Sequence, residues 1–233
     1  MLRLVACLSV LAWPVAAEGV ASARYEEPTS RYAHGILGDA VEWGALIMEA
    51  ASGQVFRVRL PETRVFEDTE PRLVDVDGDG DSEVIAVETD VTLGARLSVY
   101  DTEGLVAAND FIGRTNRWLA PVGLGAADLD GDGEVEFAYV DRPHLAKTLL
   151  ILRRDGKTLR IVASLEGVTN HRIGETDIAG GIRECGQGPE MIVATADWSE
   201  VLAVKFDGAS FATQVLAPHE GRETFAKAMA CRI

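Results

Sequence analysis

Two short acidic loops carry the residues of this chain that are best suited to chemistry. They read DVDGDGDSE at residues 75–83 and DLDGDGEVE at residues 128–136, so each places carboxylates at loop positions 1, 3, 5 and 9. Carboxylates at this density repel one another unless a cation lies among them, and Ca²⁺ accepts about six to eight oxygen ligands in flexible geometry. Glycines at positions 4 and 6 permit the positive φ angles of a tight wrap. The sequence therefore predicts about two calcium ions.

Each loop is expected to supply carboxylates and, from loop position 7, a backbone carbonyl. The predicted metal residues are Asp75, Asp77, Asp79, Asp81 and Glu83 in the first loop, and Asp128, Asp130, Asp132, Glu134 and Glu136 in the second. Neither loop is an EF-hand, because an EF-hand closes with a bidentate Glu at position 12, where this chain has Ala86 and Tyr139. Short β-branched and aromatic runs follow both loops and predict strands. The alternative is a solvated acidic turn without metal.

The motif and the strands predicted around it resemble the FG-GAP or VCBS-type repeat of integrin α-subunit propellers and many secreted bacterial proteins. The family pattern is D-x-D-G-D-G-x-x-D, and both loops match it except that Glu83 and Glu136 replace the last aspartate. The resemblance implies a calcium-stabilised β-propeller. It implies no particular ligand or activity, because one fold hosts many functions.

A repeat of just over fifty residues extends beyond the acidic loops. Hairpin turns are expected at Gly53, Gly104, Gly156 and Gly208, each between two short apolar runs. A period of this length with several strands in each repeat is typical of a propeller. We predict an all-β fold, a β-propeller of about four four-stranded blades closed by the N- and C-terminal segments. The closing blade is expected to combine residues 36–60 with residues 225–233.

The period also places a third loop at residues 182–190, IRECGQGPE, which has lost its aspartates and is expected to bind no calcium. Cys185 lies in this loop, and Cys231 lies near the C-terminus. Two cysteines in an oxidising compartment most simply form one disulfide, so we predict a Cys185–Cys231 bond. Two free buried thiols are the alternative.

The N-terminus predicts export. Residues 1–17 combine Arg3, an apolar stretch and the small-residue site Val15-Ala16-Ala17, as a secretory signal peptide does. Lipid attachment at Cys7 is the weaker alternative. The predicted mature domain, residues 18–233, is periplasmic or secreted and keeps no transmembrane anchor. With 22 basic against 37 acidic residues, it is not expected to bind nucleic acid, which requires basic surface.

A second repeat lies in the loops that are expected to join the blades on the face opposite the acidic loops. Each of these loops offers an arginine, and aromatic residues and histidines lie nearby. The candidate ligand-binding residues are Arg31, Arg64, Arg117, Trp118, His171, Arg172, His219 and Arg222, with His34 and His144 on the same face. Arginine forks suit carboxylate, sulfate or phosphate. The alternative is that each arginine pairs with a neighbouring acid.

No catalytic residues are predicted, because the chain lacks a G-x-S-x-G elbow, an H-E-x-x-H motif and a P-loop. The leading hypothesis is a non-catalytic, exported calcium-binding module for an anionic ligand or a partner protein. One alternative is a small extracytoplasmic enzyme that acts on an acidic glycan through His171 or His219. Another is a folding or assembly factor for a second exported protein, since aromatic and arginine residues dominate interface hot spots.

Overall fold

The computed structural model of the protein describes residues 18–233. The predicted signal peptide, residues 1–17, lies outside the described residues. Within 18–233 the chain is all-β, with seventeen strands and one short helix, which confirms the all-β part of the fold prediction. The strands curl strongly into a half-barrel sheet.

The strands form a 12-stranded sheet and a 5-stranded sheet, which we divide along the chain into four consecutive antiparallel units; the first three units belong to the larger sheet. Unit 1 contains β1 (Val20–Thr29), β2 (Glu42–Ala50) and β3 (Val55–Arg59). Unit 2 contains β4 (Arg64–Phe66), β5 (Arg72–Val74), β6 (Glu83–Asp90), β7 (Gly94–Asp101) and β8 (Gly104–Ala108). Unit 3 contains β9 (Leu119–Ala127), β10 (Glu136–Asp141), β11 (Thr148–Asp155) and β12 (Thr158–Glu166). Unit 4 contains β13 (Val168–Thr169), β14 (Gly181–Glu184), β15 (Pro189–Thr195), β16 (Glu200–Phe206) and β17 (Phe211–Pro218), followed by helix α1 (Arg222–Met229).

The last hairpin of each unit turns where the repeat predicts. The turns join β2 to β3, β7 to β8, β11 to β12 and β16 to β17. All four turn glycines have positive φ, which side chains disfavour: 85° at Gly53, 125° at Gly104, 60° at Gly156 and 87° at Gly208. The glycine period therefore marks a real conformational requirement.

The first strand position of units 2 and 4 is interrupted, and the interruptions carry residues of the candidate site. Both β4 and β5 pair with the same side of β6, at Phe66–Glu88 and Arg72–Ile85. Similarly, β13 and β14 both pair with β15. The chain leaves the sheet between the paired pieces, at residues 67–71 and 170–180. Unit 1 has three strands and no counterpart of this first position.

Hydrophobic clusters join consecutive units face to face. Units 1 and 2, units 2 and 3, and units 3 and 4 each share a cluster with side chains from both partners, exemplified by Leu46 with Phe66, Val99 with Phe137, and Ile151 with Val193. Each fully buried side chain of this kind contributes roughly 1.5–3 kcal/mol. The free face of unit 4 packs instead against α1, through Phe225 and Ala228.

The predicted closure of the ring by both chain ends is wrong. The C-terminal tail, residues 225–233, was expected as a strand beside residues 36–60, but most of it belongs to α1, whose contacts are with β14 to β17. The strand that pairs with β2 in that place is β1, an alternating segment. Units 4 and 1 touch through loops, as where the Gly174 amide donates to the Ile36 carbonyl at 3.0 Å. A closed four-bladed ring is therefore not established.

Candidate functional site

The first acidic loop links β5 to β6 and folds around its own carboxylates. The Asp75 carboxylate accepts hydrogen bonds from the amides of Gly78 at 2.7 Å and Gly80 at 3.0 Å. Glu83 is buried at the start of β6 and accepts from the Val76 amide at 2.9 Å. One oxygen each of Asp75, Asp77 and Glu83 lies within 4.8 Å of the other two. The loop thus converges three carboxylates on one point.

The second acidic loop, between β9 and β10, repeats this geometry. Asp128 accepts from the amides of Gly131 at 2.8 Å and Gly133 at 3.1 Å, and buried Glu136 accepts from Leu129 at 2.8 Å. One oxygen each of Asp128, Asp130 and Glu136 again lies within 4.8 Å of the others. Each loop therefore gathers three carboxylates that could hold a metal ion.

The other predicted metal residues lie outside these two triads. The carboxylate of Asp79 accepts from the Asp81 amide at 2.8 Å, and that of Asp132 accepts from the Glu134 amide at 2.8 Å. These short contacts hold each loop in its turn conformation. In each loop the carboxylates at positions 1, 3 and 9 therefore converge, whereas the carboxylate at position 5 lies outside that group.

Electrostatics within both loops favours a bound cation. Burial raises the pKa of Glu83, and the neighbouring Asp77, Asp79 and Asp75 raise it further. Burial likewise raises the pKa of Glu136. A buried carboxylate among other carboxylates is costly to ionise, and a divalent cation at the point of convergence would remove that cost. Hard cations such as Ca²⁺ and Mg²⁺ prefer oxygen ligands of this kind.

Three of the predicted ligand-binding arginines have protein partners. The Arg31 guanidinium donates to the Arg64 carbonyl at 2.9 Å. Arg64 forms an ion pair with buried Glu88 at 3.0 Å, and Arg222 pairs with Glu175 and with Asp177, the latter at 2.9 Å. These three arginines do not converge on a common cavity.

Arg172 and His219 belong to a separate aromatic cluster on unit 4. The Arg172 guanidinium stacks over the Trp198 ring at 4.3 Å, and the His219 ring lies 5.4 Å from the same indole. Burial lowers the pKa of His219, and the nearby charge of Arg172 lowers it further. A cation over an indole is an ordinary stabilising contact.

Arg117 and Trp118 are the two predicted residues that do line a cavity. The cavity has a volume of about 300 Å³ and lies where loops of units 1, 2, 3 and 4 meet. Its polar and aromatic lining consists of His34, Asn116, Arg117, Trp118, Arg142 and His144, and its apolar lining consists of Ile36, Leu145 and Ile173. The Arg117 guanidinium contacts only the Asn116 carbonyl, at 2.7 Å, and forms no ion pair with any acid among residues 18–233.

His171 lies behind this cavity and is fully buried. A carbonyl oxygen can only accept, so Nε2 of His171 donates to the Glu175 carbonyl at 2.9 Å. Nδ1 of His171 then accepts from Nε2 of His144 at 3.1 Å. Burial lowers the pKa of both rings, and that of His144 falls to about 4. Both histidines are therefore neutral at pH 7, and both ring nitrogens of His171 are engaged within the protein.

A buried carboxylate pair beside the cavity was missed by the sequence analysis. Glu67 accepts from Nδ1 of His34 at 2.5 Å and from the Thr89 hydroxyl at 2.7 Å. Glu42 lies nearby, and burial together with the charges of Glu67 and other acids raises its pKa to about 9. Glu42 is the first residue of β2 and Glu67 follows the short strand β4, so both resemble solvated loop acids in the sequence. No repeat spacing distinguishes them.

The predicted disulfide is confirmed. Cys185, in the loop after β14, is bonded to Cys231, which follows α1. The bond holds the C-terminal turn against unit 4, where Arg183 also donates to the Ile233 carbonyl at 3.0 Å. The disulfide therefore fixes α1 on unit 4 instead of closing a ring.

No family model, curated protein or solved structure matches this chain. Within residues 18–233, α1 is the single helix, and it is too short and polar to cross a membrane.

Proposed function

We propose that this protein is an exported, non-catalytic binding module whose folded state is stabilised by divalent cations. Its proposed ligand is a small anion with an apolar body, which binds in the cavity lined by Arg117 and Trp118. The four units would be blades of a propeller of the FG-GAP type, with α1 packed on the last blade. The Cys185–Cys231 disulfide supports export, since disulfides persist in oxidising compartments.

Calcium is the proposed occupant of the two acidic loops. Each triad offers only carboxylate oxygens, and the flexible coordination of Ca²⁺ suits a loop that also has backbone carbonyls and water available. In this role the cation stabilises the folded state, because any ligand that binds only the native protein does so by mass action.

The unpaired guanidinium of Arg117 is the observation that carries the ligand proposal. The chain has a formal net charge of −15, yet this half-buried arginine has no acidic partner in the described part of the chain. A guanidinium presents parallel N–H donors that match a carboxylate. Beside it, Trp118, Leu145 and Ile173 provide apolar wall. Ligand sites commonly combine an apolar cavity with a few polar anchors.

Binding is favoured over the proposed glycan-cleaving alternative by the state of the histidines. A general acid or base needs a reachable ring nitrogen and a pKa near the operating pH. His171 is fully buried with both nitrogens engaged, and His219 packs against Trp198 away from Arg117. Neither histidine is arranged for proton transfer to a molecule in the cavity.

Isothermal titration of the calcium-loaded protein with benzoate and hexanoate tests the ligand proposal, with benzyl alcohol as the uncharged comparison. We expect carboxylate binding, at least tenfold weaker in Arg117→Gln, because the charged anchor is lost. Arg114→Gln is the matched control, since Arg114 is an exposed arginine in the same loop outside the cavity. Equal carboxylate affinity in Arg117→Gln and wild type, or no carboxylate binding at all, would refute the assignment.

A further inference from the structure

The second acidic loop already contains a cation from the protein itself. Arg153 lies on β11 directly opposite Glu136 on β10. Its guanidinium is 2.6 Å from Asp130 Oδ2, 3.0 Å from Asp132 Oδ2 and 2.7 Å from Glu136 Oε1. Asp130 and Glu136 are two of the three carboxylates that converge in this loop. The guanidinium therefore neutralises two of the three carboxylates that a metal ion would bind.

The first acidic loop has no such residue. Continuing the Val84–Tyr100 register by one pair places Asp101 opposite Glu83, and Asp101 accepts hydrogen bonds from the next turn, at the amides of Glu103 and Gly104. The basic residue that contacts this loop is Arg154, whose guanidinium lies 3.6 Å from the Asp77 carboxylate. Its side chain is about one-third exposed, and it does not contact Asp75 or Glu83.

The third loop, at residues 182–190, also has basic residues beside its glutamate. Glu190, which occupies the place of Glu83 and Glu136, pairs with Lys205 at 3.5 Å and with Arg183 at 2.8 Å. The Met191–Val204 register places Lys205 opposite Glu190, as Arg153 is opposite Glu136. One cross-strand position thus carries Asp101, Arg153 and Lys205 in units 2, 3 and 4. This position is acidic beside the first loop and basic beside the other two.

We infer that Arg153 sets the calcium affinity of the second loop, so that the two acidic loops fill at different calcium concentrations. This inference rests on the proposal that the loops bind calcium. In the first loop the only competitor among the described residues is Arg154, whose single 3.6 Å contact with Asp77 is longer than the contacts of Arg153 in the second loop. In the second loop Ca²⁺ must displace the guanidinium from Asp130 and Glu136, because two cations within a few ångströms repel strongly when partly buried. The first loop then keeps its calcium ion and stabilises the fold at all times, whereas the occupancy of the second loop changes with the calcium concentration outside the cell.

The displaced guanidinium has room to move. The Arg153 side chain is 30% exposed, and a small cavity of about 270 Å³ lies beside it, lined by Arg153, Asp77 and Glu134 among others. The competition is therefore an exchange between two states and does not require the strands to separate.

Isothermal titration of the chelator-stripped full chain with CaCl₂ tests the inference. We expect two classes of site in the wild type, with the weaker at least tenfold below the stronger. Arg153→Gln should raise the weaker affinity at least tenfold and leave the stronger unchanged. Asp77→Asn should remove the stronger class and keep the weaker, which assigns the classes to the loops. Arg160→Gln is the control, because Arg160 pairs with Asp155 on the surface and touches neither loop.

Thermal melting provides a second measurement, which does not require the binding heats of the two calcium sites to be separated. Without calcium, Arg153→Gln and Arg153→Met should both melt below wild type, since buried Glu136 loses its counter-charge. Their calcium-induced rise in melting temperature should exceed that of wild type. Two equal sites in the wild type, or a weaker class unaffected in Arg153→Gln, would overturn the inference and leave the calcium proposal standing. Absence of calcium binding in every variant would overturn both.

Discussion

Glu42→Gln is expected to change how stability depends on pH. Glu42 begins β2, is only 2% exposed and lies near Glu67. Burial and the surrounding carboxylates raise its pKa from the ordinary glutamate value of 4.5 to about 9. The folded protein therefore holds a proton on Glu42 at pH 7, whereas the unfolded chain has released it. Glutamine keeps the shape of the neutral acid and cannot ionise.

The sign follows from proton counting. For a carboxyl whose pKa is raised by folding, the stabilising contribution is complete below the unfolded pKa and is lost as the pH rises toward the folded pKa. Between pH 4.5 and about 9 the folded state binds one more proton than the unfolded state at this site. The free energy of unfolding should therefore fall by about 1.4 kcal/mol per pH unit from this group alone.

From pH 6 to pH 8 the wild type should thus lose about 2.7 kcal/mol relative to Glu42→Gln. The assay is urea unfolding at saturating calcium, followed by tryptophan fluorescence at each pH. Because His144 and His171 are present in both proteins, their titration cancels when the two curves are subtracted. Glu49→Gln is the matched control, since Glu49 is exposed on the same strand. It should follow the wild-type curve.

Parallel wild-type and Glu42→Gln stability curves across this pH range would refute the reasoning. That result would mean that Glu42 is ionised in the folded protein, with solvent or a counter-ion at its carboxylate. A Glu42→Gln protein that is less stable than wild type at every pH by a constant amount would lead to the same conclusion, because only the slope reports the proton.

Two further substitutions test the packing of unit 4. Cys185→Ser, or reduction with dithiothreitol, should lower the free energy of unfolding by up to about 4 kcal/mol, since the bond to Cys231 closes a 46-residue separation; unchanged urea midpoints would contradict a structural bond. Gly180→Ala should cost roughly 3 kcal/mol or more, because a Cβ there would lie 1.8 Å from the Ile192 carbonyl oxygen. Gly186→Ala, with a similar positive φ but open space, should cost only about 1–2 kcal/mol, and equal losses would contradict the steric argument.

The acidic loops were predictable from the sequence because their geometry is local. Asp75 bonds to the amides of Gly78 and Gly80, and Asp128 makes the equivalent bonds in the second loop. These contacts span three to five residues, so the residue order alone specifies them. The disulfide was predictable for a different reason, since excluding the predicted signal peptide leaves Cys185 a single possible partner.

The predicted ligand-binding arginines show where repeat spacing misleads. The spacing grouped these arginines in equivalent loops, but Arg64 lies on β4, Arg172 lies within unit 4 and Arg222 lies in α1. The spacing also could not choose the partner of each guanidinium. Arg222 is 45 residues from Asp177, and Arg64 is 24 residues from Glu88. Such pairings depend on how the strands and loops of one unit fold together. The proximity of Glu42 and Glu67 appears only when unit 1 packs on unit 2.

The sequence by itself determined the all-β class, the turn positions and the two acidic loops, because short-range bonding and backbone conformation decide each of these; it also determined the disulfide, through the number of cysteines. Tertiary structure alone decided that the C-terminal tail forms α1 on unit 4, that Arg117 lines a cavity without pairing with an acid among residues 18–233, and that Arg153 enters the second acidic loop. These outcomes depend on which faces and charges meet once the strands are paired and the units are packed. Burial and long-range ion pairing set them, and neither follows from the order of residues within one repeat.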